Sequence, residues 1–246
     1  MAIEALIRSY PRVRPPLTVA HAKIYEEQYR LNRDGGQPIE SLAQHLELWM
    51  HRQIAAGKDG PILELGAGTL NHIRHEQQGV TYDVVEPFHT LYQGRPELVA
   101  VRDFFDSVNT IPLDRKYDRI ISIAVLEHME NLPRDIGRAA LHLSEGGIFQ
   151  AGIPSEGGFL WWLGWRFSTG ISYYLRTKLD YGVVMRHEHL NTSPEIISVI
   201  KHLFSEVKIR RFPFPWHHTS FYTYIEAKNP ILERCNAISE FLSEEK

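Results

Sequence analysis

The chain is poor in the residues that would place it outside a reducing compartment. Among 246 residues there is one cysteine, Cys235, which excludes an intramolecular disulfide and a cysteine-based zinc site. Long hydrophobic runs are missing too: the aromatic stretch Phe159 to Leu163 falls far short of the ~20 apolar residues that a membrane-spanning helix needs. No dense block of lysine and arginine occurs. With 27 Lys+Arg against 30 Asp+Glu the formal charge is −3 and the pI is near 6.5, so there is no electrostatic footprint for duplex nucleic acid. Near the N-terminus Glu4, Arg8, Arg12 and Arg14 interrupt any apolar stretch, so no secretory leader is expected. The expectation is a cytoplasmic protein with no transmembrane segment and no nucleic-acid partner.

What is present is ordinary in amount and uneven in placement. Hydrophobic residues make up 43% of the chain, enough for one domain with a sizeable core. Of the 11 Phe, 5 Trp and 11 Tyr, eight lie between Phe159 and Tyr181 and six between Phe212 and Tyr224.

Periodicity divides the chain in order. After a Pro/Arg-rich lead-in, Leu17 to Leu31 predicts a helix ended by Asp34-Gly35-Gly36, and Ile39, Leu42, Leu46, Trp49, Met50 and Ile54 make the apolar stripe of a second. From Pro61 the texture changes. Ile62–Leu65, Thr81–Val85, Leu98–Val101, Arg119–Ile123 and Gly147–Ala151 are five strand candidates, spaced as in a parallel sheet with right-handed crossovers. A helix over Arg134 to Leu143 separates the last two. Glycines and aromatics fill Ser155 to Gly182, and Ser193-Pro194-Glu195 opens a further helix with Ser193 as its cap. Glu206–Phe212 and Ser220–Ala227 predict an antiparallel hairpin at the sheet's edge, before a charged helical tail.

The chemistry concentrates where the first strand meets glycine, in Glu64-Leu65-Gly66-Ala67-Gly68. Two glycines let a ligand approach the backbone and its exposed N–H groups. Asn71 stands where a dinucleotide fingerprint has its third glycine. Glu86 ends the second strand twenty residues after Gly66, in place to accept both hydroxyls of a ribose. Glu64 would repel a pyrophosphate and attract a ligand bearing an ammonium group. The plain alternative is a tight strand-to-helix turn with no ligand.

These segments resemble the class I S-adenosylmethionine-dependent methyltransferases of the small-molecule type. Glu64 to Gly68 matches that family's first motif and Glu86, followed by Pro87, its ribose-binding acid. Asp103-Phe104 falls where the family holds adenine. Tyr117-Asp118 and Ile120 to His128, ending Ala124-Val125-Leu126-Glu127-His128, are similar to its fourth motif. Leu143 to Gly147 resembles the turn into the fifth strand. The resemblance implies a Rossmann-like seven-stranded, mostly parallel sheet with a late antiparallel strand and helices on both faces. It also implies a helical cover over 1–57, a cofactor-binding domain over 58–229 with an aromatic-rich insertion over about 155–192, and a helical tail over 230–246. S-adenosylmethionine is the implied cofactor, held by Glu64, Gly66, Ala67, Gly68, Glu86, Pro87, Asp103, Phe104 and Ala124, with Tyr29 offered by the cover. The alternatives are a nicotinamide-dependent oxidoreductase, a non-catalytic module that keeps the pocket, and a protein or RNA methyltransferase.

Methyl transfer needs a nucleophile held in line and, for a hydroxyl, a base. His128, after the fourth strand, and His189, before the Ser193 helix, are the candidates. A metal site through His187-Glu188-His189 lacks further ligands at suitable spacing. Trp161, Trp165, Arg166 and His187 are the candidate substrate contacts. From Phe159 to His218 eight Lys/Arg face four Asp/Glu, which points to an anionic small-molecule acceptor with a flat or greasy part, such as a nucleotide-linked or lipid-linked sugar. The expected reaction is methyl transfer to an oxygen of a sugar, glycan precursor or secondary metabolite. A lid or homodimer contact is the other use of these aromatics. Membrane-surface contact is disfavoured, because Gly164 and Gly170 interrupt any clean amphipathic helix.

Overall fold

The computed structural model describes residues 3–25, 41–57 and 59–241. Tyr29 lies outside the described residues, as do the end of the first predicted helix and the Asp34-Gly35-Gly36 turn. The seven strands are β1 (Ile62–Leu65), β2 (Tyr82–Val85), β3 (Asp103–Phe105), β4 (Tyr117–Ile123), β5 (Leu143–Pro154), β6 (Phe204–Pro213) and β7 (Ser220–Pro230), in the order β3-β2-β1-β4-β5-β7-β6. β3, β2, β1, β4 and β5 are parallel; β7 runs antiparallel between β5 and β6. The predicted late hairpin is thus present, and its second strand docks on β5. The order reverses between β1 and β4, which opens a crevice beyond their C-terminal ends.

Both faces of the sheet are covered, because its side chains alternate between two cores. Leu63, Leu65, Ile120, Phe149 and Ile153 point into one. There they meet α1 (Ile3–Ile7), α3 (Leu132–Ala140), α7 (Ser193–Leu203) and α8 (Leu232–Phe241). Ile62, Val84, Ile121 and Tyr224 point into the other, under α2 (Ser41–Ala55). Met50 and Ile54 of α2 are fully buried, and a Cβ at Gly152 would sit 2.8 Å from that of Met50. α7 begins one residue earlier than the Ser193 cap predicts. Thr192 is the cap, and its backbone N–H donates to Glu195 at 2.8 Å.

Two expectations are corrected. The apolar run Leu98–Val101 is no strand: Pro96–Ala100 forms a 3-10 turn with Val99 95% exposed, and β3 starts at Asp103. The insertion is not broken by its glycines. α4 (Phe159–Trp165), a π-helical turn (Arg166–Gly170) and α5 (Ile171–Thr177) run on without interruption, followed by α6 (Tyr181–Glu188). Gly164 lets the Phe221 ring come within 2.9 Å of where a Cβ would be. It is a close-contact site rather than a breaker.

Candidate active site

β1 delivers the chain into a turn that only glycine fits at Gly66. Its φ is +70°, and a Cβ there would lie 2.5 Å from a methyl of Val125. The turn leads to a single 3-10 turn, Ile73–His75, instead of a full helix. At the end of β2, Glu86 accepts the N–H of Gly68 and that of Phe88, each at 2.9 Å, tying the glycine turn to the next loop. Glu64 is 3% exposed and accepts the Tyr82 hydroxyl at 2.7 Å. Burial raises its carboxyl above the usual carboxylate range.

Glu64, Gly66, Gly68, Glu86, Phe88 and Val125 line one cavity of about 510 Å³, together with Ala67, Pro87, Ala124 and His128. Asp103 and Phe104 do not reach it. Because β3 begins at Asp103, that acid sits beside Asp83 at the start of the edge strand and pairs with Arg115 at 2.8 Å, while the Phe104 ring stacks on Tyr92. Asp106 and Ser107, at the C-terminal end of β3, are the residues that reach the crevice. Two wall elements went unread in the sequence. His51 and His72 face each other with Nδ1 atoms 2.9 Å apart, and His72 pairs with Glu76 at 2.7 Å; burial first, then the neighbouring histidines, push His51 down to about 4. Arg14 donates to the His128 carbonyl at 3.0 Å from the N-terminal lead-in.

A second recess of about 310 Å³ opens beside the first and shares Glu47, Ala124 and His128 with it. Trp161, Trp165, Tyr181 and Tyr222 form its aromatic walls, and Glu127 and His189 its polar corner. His128 and His189 meet edge to face with centroids 4.9 Å apart. Nδ1 of His128 lies 2.8 Å from the Glu188 carbonyl. A carbonyl only accepts, so the neutral ring carries its proton on Nδ1 and keeps an open lone pair on Nε2. His189 Nδ1 is held at 2.8 Å by Glu156, which also accepts the indole N–H of Trp161. Its Nε2 is therefore the basic atom as well.

Glu127 is 2% exposed, and its Oε2 has no hydrogen-bond partner among the described residues. Burial pushes its carboxyl up to about 7, against the opposing pull of His128. Oε1 lies 3.8 Å from Nε2 of His128. Neither Glu127 nor Glu156 was singled out from sequence; the Leu-Glu-His run following β4 was the available signal for the first. Two expected contacts lie elsewhere. Arg166 lines a separate recess and pairs with Asp180 at 3.5 Å, and His187 binds the Pro15 carbonyl at 2.7 Å. None of the eight Lys/Arg between Phe159 and His218 lines the second recess.

No group of three or more His, Cys, Asp or Glu among the described residues has the arrangement to hold a metal ion. No helix among them is long and apolar enough to cross a membrane.

Known structures share this architecture. A plantazolicin methyltransferase bound to S-adenosylhomocysteine is 11% identical, with a TM-score of 0.57 over 92% of this chain and 95% of that one. N-methyltransferase NodS from Bradyrhizobium japonicum is 13% identical, with a TM-score of 0.53 over 93% and 98%. An O-methyltransferase family protein from Burkholderia thailandensis is 15% identical, with a TM-score of 0.51 over 75% of this chain and 56% of its own. No curated protein sequence matches the chain. The methyltransferase-domain family matches residues 40–181, more than half of the length, and the chain belongs to that family of S-adenosylmethionine-dependent enzymes with the class I fold.

Proposed function

We propose that the protein methylates an oxygen of a small-molecule acceptor, a sugar, glycan precursor or secondary metabolite, seated in the recess beneath the aromatic helix. The observation that carries this reading is that the cofactor crevice and the recess meet at Ala124 and His128.

The crevice fits the cofactor. Gly66 removes the side chain that would block close approach, Glu86 stands where a ribose hydroxyl can donate to it, and Glu64 makes the wall unfavourable for a pyrophosphate. When bound, S-adenosylmethionine supplies an electrophilic methyl group on a sulfonium. The chain's own work is then to orient the acceptor, remove a proton and keep water out. Trp161 and Trp165 offer flat faces for a ring. Nε2 of His189, oriented by Glu156, would take the acceptor's hydroxyl proton, leaving the oxygen free to take the methyl group from the sulfonium and release its sulfur as a neutral thioether. Nε2 of His128 is the second acceptor at the same corner. The orphaned Oε2 of Glu127 receives a neighbouring hydroxyl.

The absence of Lys/Arg from the described recess walls favours a neutral acceptor over the anionic one expected from sequence. An amine is the second reading, favoured by Glu47 and Glu127 beside tryptophan faces.

The test is a methyl-transfer assay over a panel of sugars, phenols, amines and carboxylates, started from the small molecules that copurify with the protein. With an accepted substrate, His189→Gln should lower kcat by about 10²–10⁴ while leaving cofactor affinity unchanged. Unchanged kcat would refute the assignment of the base, and turnover confined to amines would replace oxygen by nitrogen.

A further inference from the structure

The helix that roofs the acceptor recess has two faces. Trp161, Trp165, Thr169 and Tyr173 recur every four residues along it. The first three line the recess, and Tyr173 is 2% exposed. The opposite face is open. Phe159 is 59% exposed, Phe167 64%, Tyr174 54% and Leu175 64%, and Trp162 stacks on Phe159 at 6.1 Å between centroids. Phe214 and Trp216, in the β6–β7 connection that packs near the start of this helix, are also exposed, Trp216 at 69%. An apolar surface of this kind ordinarily marks something that covers it.

Its charge says what. Between Glu156 and Asp180 there are three basic residues, Arg166, Arg176 and Lys178, and no acidic one; Arg166 pairs with Asp180 at 3.5 Å, so Arg176 and Lys178 carry the excess positive charge. Lys178 lies 5.6 Å from the Tyr174 ring centroid, which keeps its ammonium beside the aromatic face. A second copy of the chain would set these cations against themselves in a two-fold contact, so self-association is opposed by the charge that an anionic surface would match. Aromatics flanked by lysine and arginine suit the headgroup boundary of a bilayer, where indole and phenol rings settle and cations meet lipid phosphates. A recess of about 350 Å³ between Phe167, Ile171, Tyr174 and Tyr181, with Arg166 and Asp180 at its rim, is open to the same side. The π turn over Arg166–Gly170 keeps the helix continuous through both glycines, so the outer face is one surface.

We infer that the outer face of the α4–α5 helix docks the protein peripherally on an anionic lipid surface, with the acceptor recess directly beneath the docked face. The inference does not depend on which acceptor is methylated.

Flotation of the intact protein with vesicles tests it. Vesicles of phosphatidylcholine and phosphatidylglycerol in equal amounts should carry the protein at low salt, pure phosphatidylcholine should not, and 0.5 M NaCl should reduce the partition coefficient at least ~10-fold. The exposed-face variant Phe167→Ser, Arg176→Glu, Leu175→Ser should lose vesicle binding while retaining cofactor binding and thermal stability. Should that variant fail to fold, brominated lipids decide the matter in the wild type: quenching of tryptophan fluorescence, diminished in Trp162→Phe, supports insertion. No flotation with anionic vesicles, or no quenching, overturns the inference. So does a wild-type dimer in sedimentation that the triple variant dissociates, because a second copy would then cover the face.

Discussion

Replacing Glu127 by glutamine tests the polar corner of the recess through stability as well as through turnover. The side chain is 2% exposed, one carboxyl oxygen lacks a partner among the described residues, and burial lifts its pKa from 4.5 to about 7. That gap corresponds to about 3 kcal/mol of preference for the neutral acid in the folded chain, at about 1.4 kcal/mol per pH unit. The folded state holds the proton more tightly than the unfolded state. The resulting stabilisation is complete below pH 4.5 and is lost as pH rises through about 7. Glu127→Gln carries no charge at any pH and should not lose it. In thermal denaturation the two proteins should have similar midpoints near pH 4.5. At pH 8.5 the variant should be more stable by about 3 kcal/mol, a Tm higher by about 6–12 °C at roughly 2–4 °C per kcal/mol. Acceptor turnover should fall at the same time, because an amide oxygen accepts the neighbouring hydroxyl more weakly than a carboxylate oxygen does. Tm profiles that stay parallel from pH 5 to 8.5 would refute the claim that Glu127 is buried without compensation.

The cofactor side offers further tests. Glu86→Ala removes the acceptor for the Gly68 and Phe88 N–H groups and the proposed ribose contact; S-adenosylhomocysteine affinity by calorimetry should fall at least ~10-fold, since a hydrogen bond to a charged group is worth about 1.5–3 kcal/mol. Gly66→Ala places a methyl 2.5 Å from Val125 at a φ of +70°, and should abolish cofactor binding or lower Tm measurably; unchanged values of both would count against the turn as described. Arg119→Met takes from Glu76 its 2.6 Å partner in a buried site and leaves it His72 at 2.7 Å, which should cost about 3 kcal/mol in denaturant unfolding, the low end for a broken buried pair.

What was legible in the sequence, and what was not, follows the distance over which each feature is decided. Gly66, Gly68 and Glu86 were readable because a strand, a turn and the next strand's end are local patterns, and the parallel sheet then brings them together. Asp103 was misplaced because Leu98–Val101 has the composition of a strand, whereas Pro96 starts a 3-10 turn there and Val99 stays in water. The error was one of register, three residues short of Asp106, and that distance decides whether a carboxylate lines the crevice or pairs with an arginine. Glu127 and Glu156 were invisible for a different reason. Glu127 becomes buried when the chain near Leu190 folds back on it, its carbonyl accepting the Leu190 and Asn191 N–H groups. Glu156 becomes an orienting partner only when the end of α6 brings His189, 33 residues away, to within 2.8 Å. The same logic accounts for Gly164 and Gly170: read locally they break a helix, but Gly164 is where the helix meets Phe221 of β7, and Gly170 closes the π turn over the Trp165 carbonyl and ring of the same helix. Local chemistry therefore located the crevice proposed for the methyl donor, while the recess proposed for the acceptor is made by contacts between segments far apart in the chain, and its residues announce themselves only through burial and unsatisfied charge.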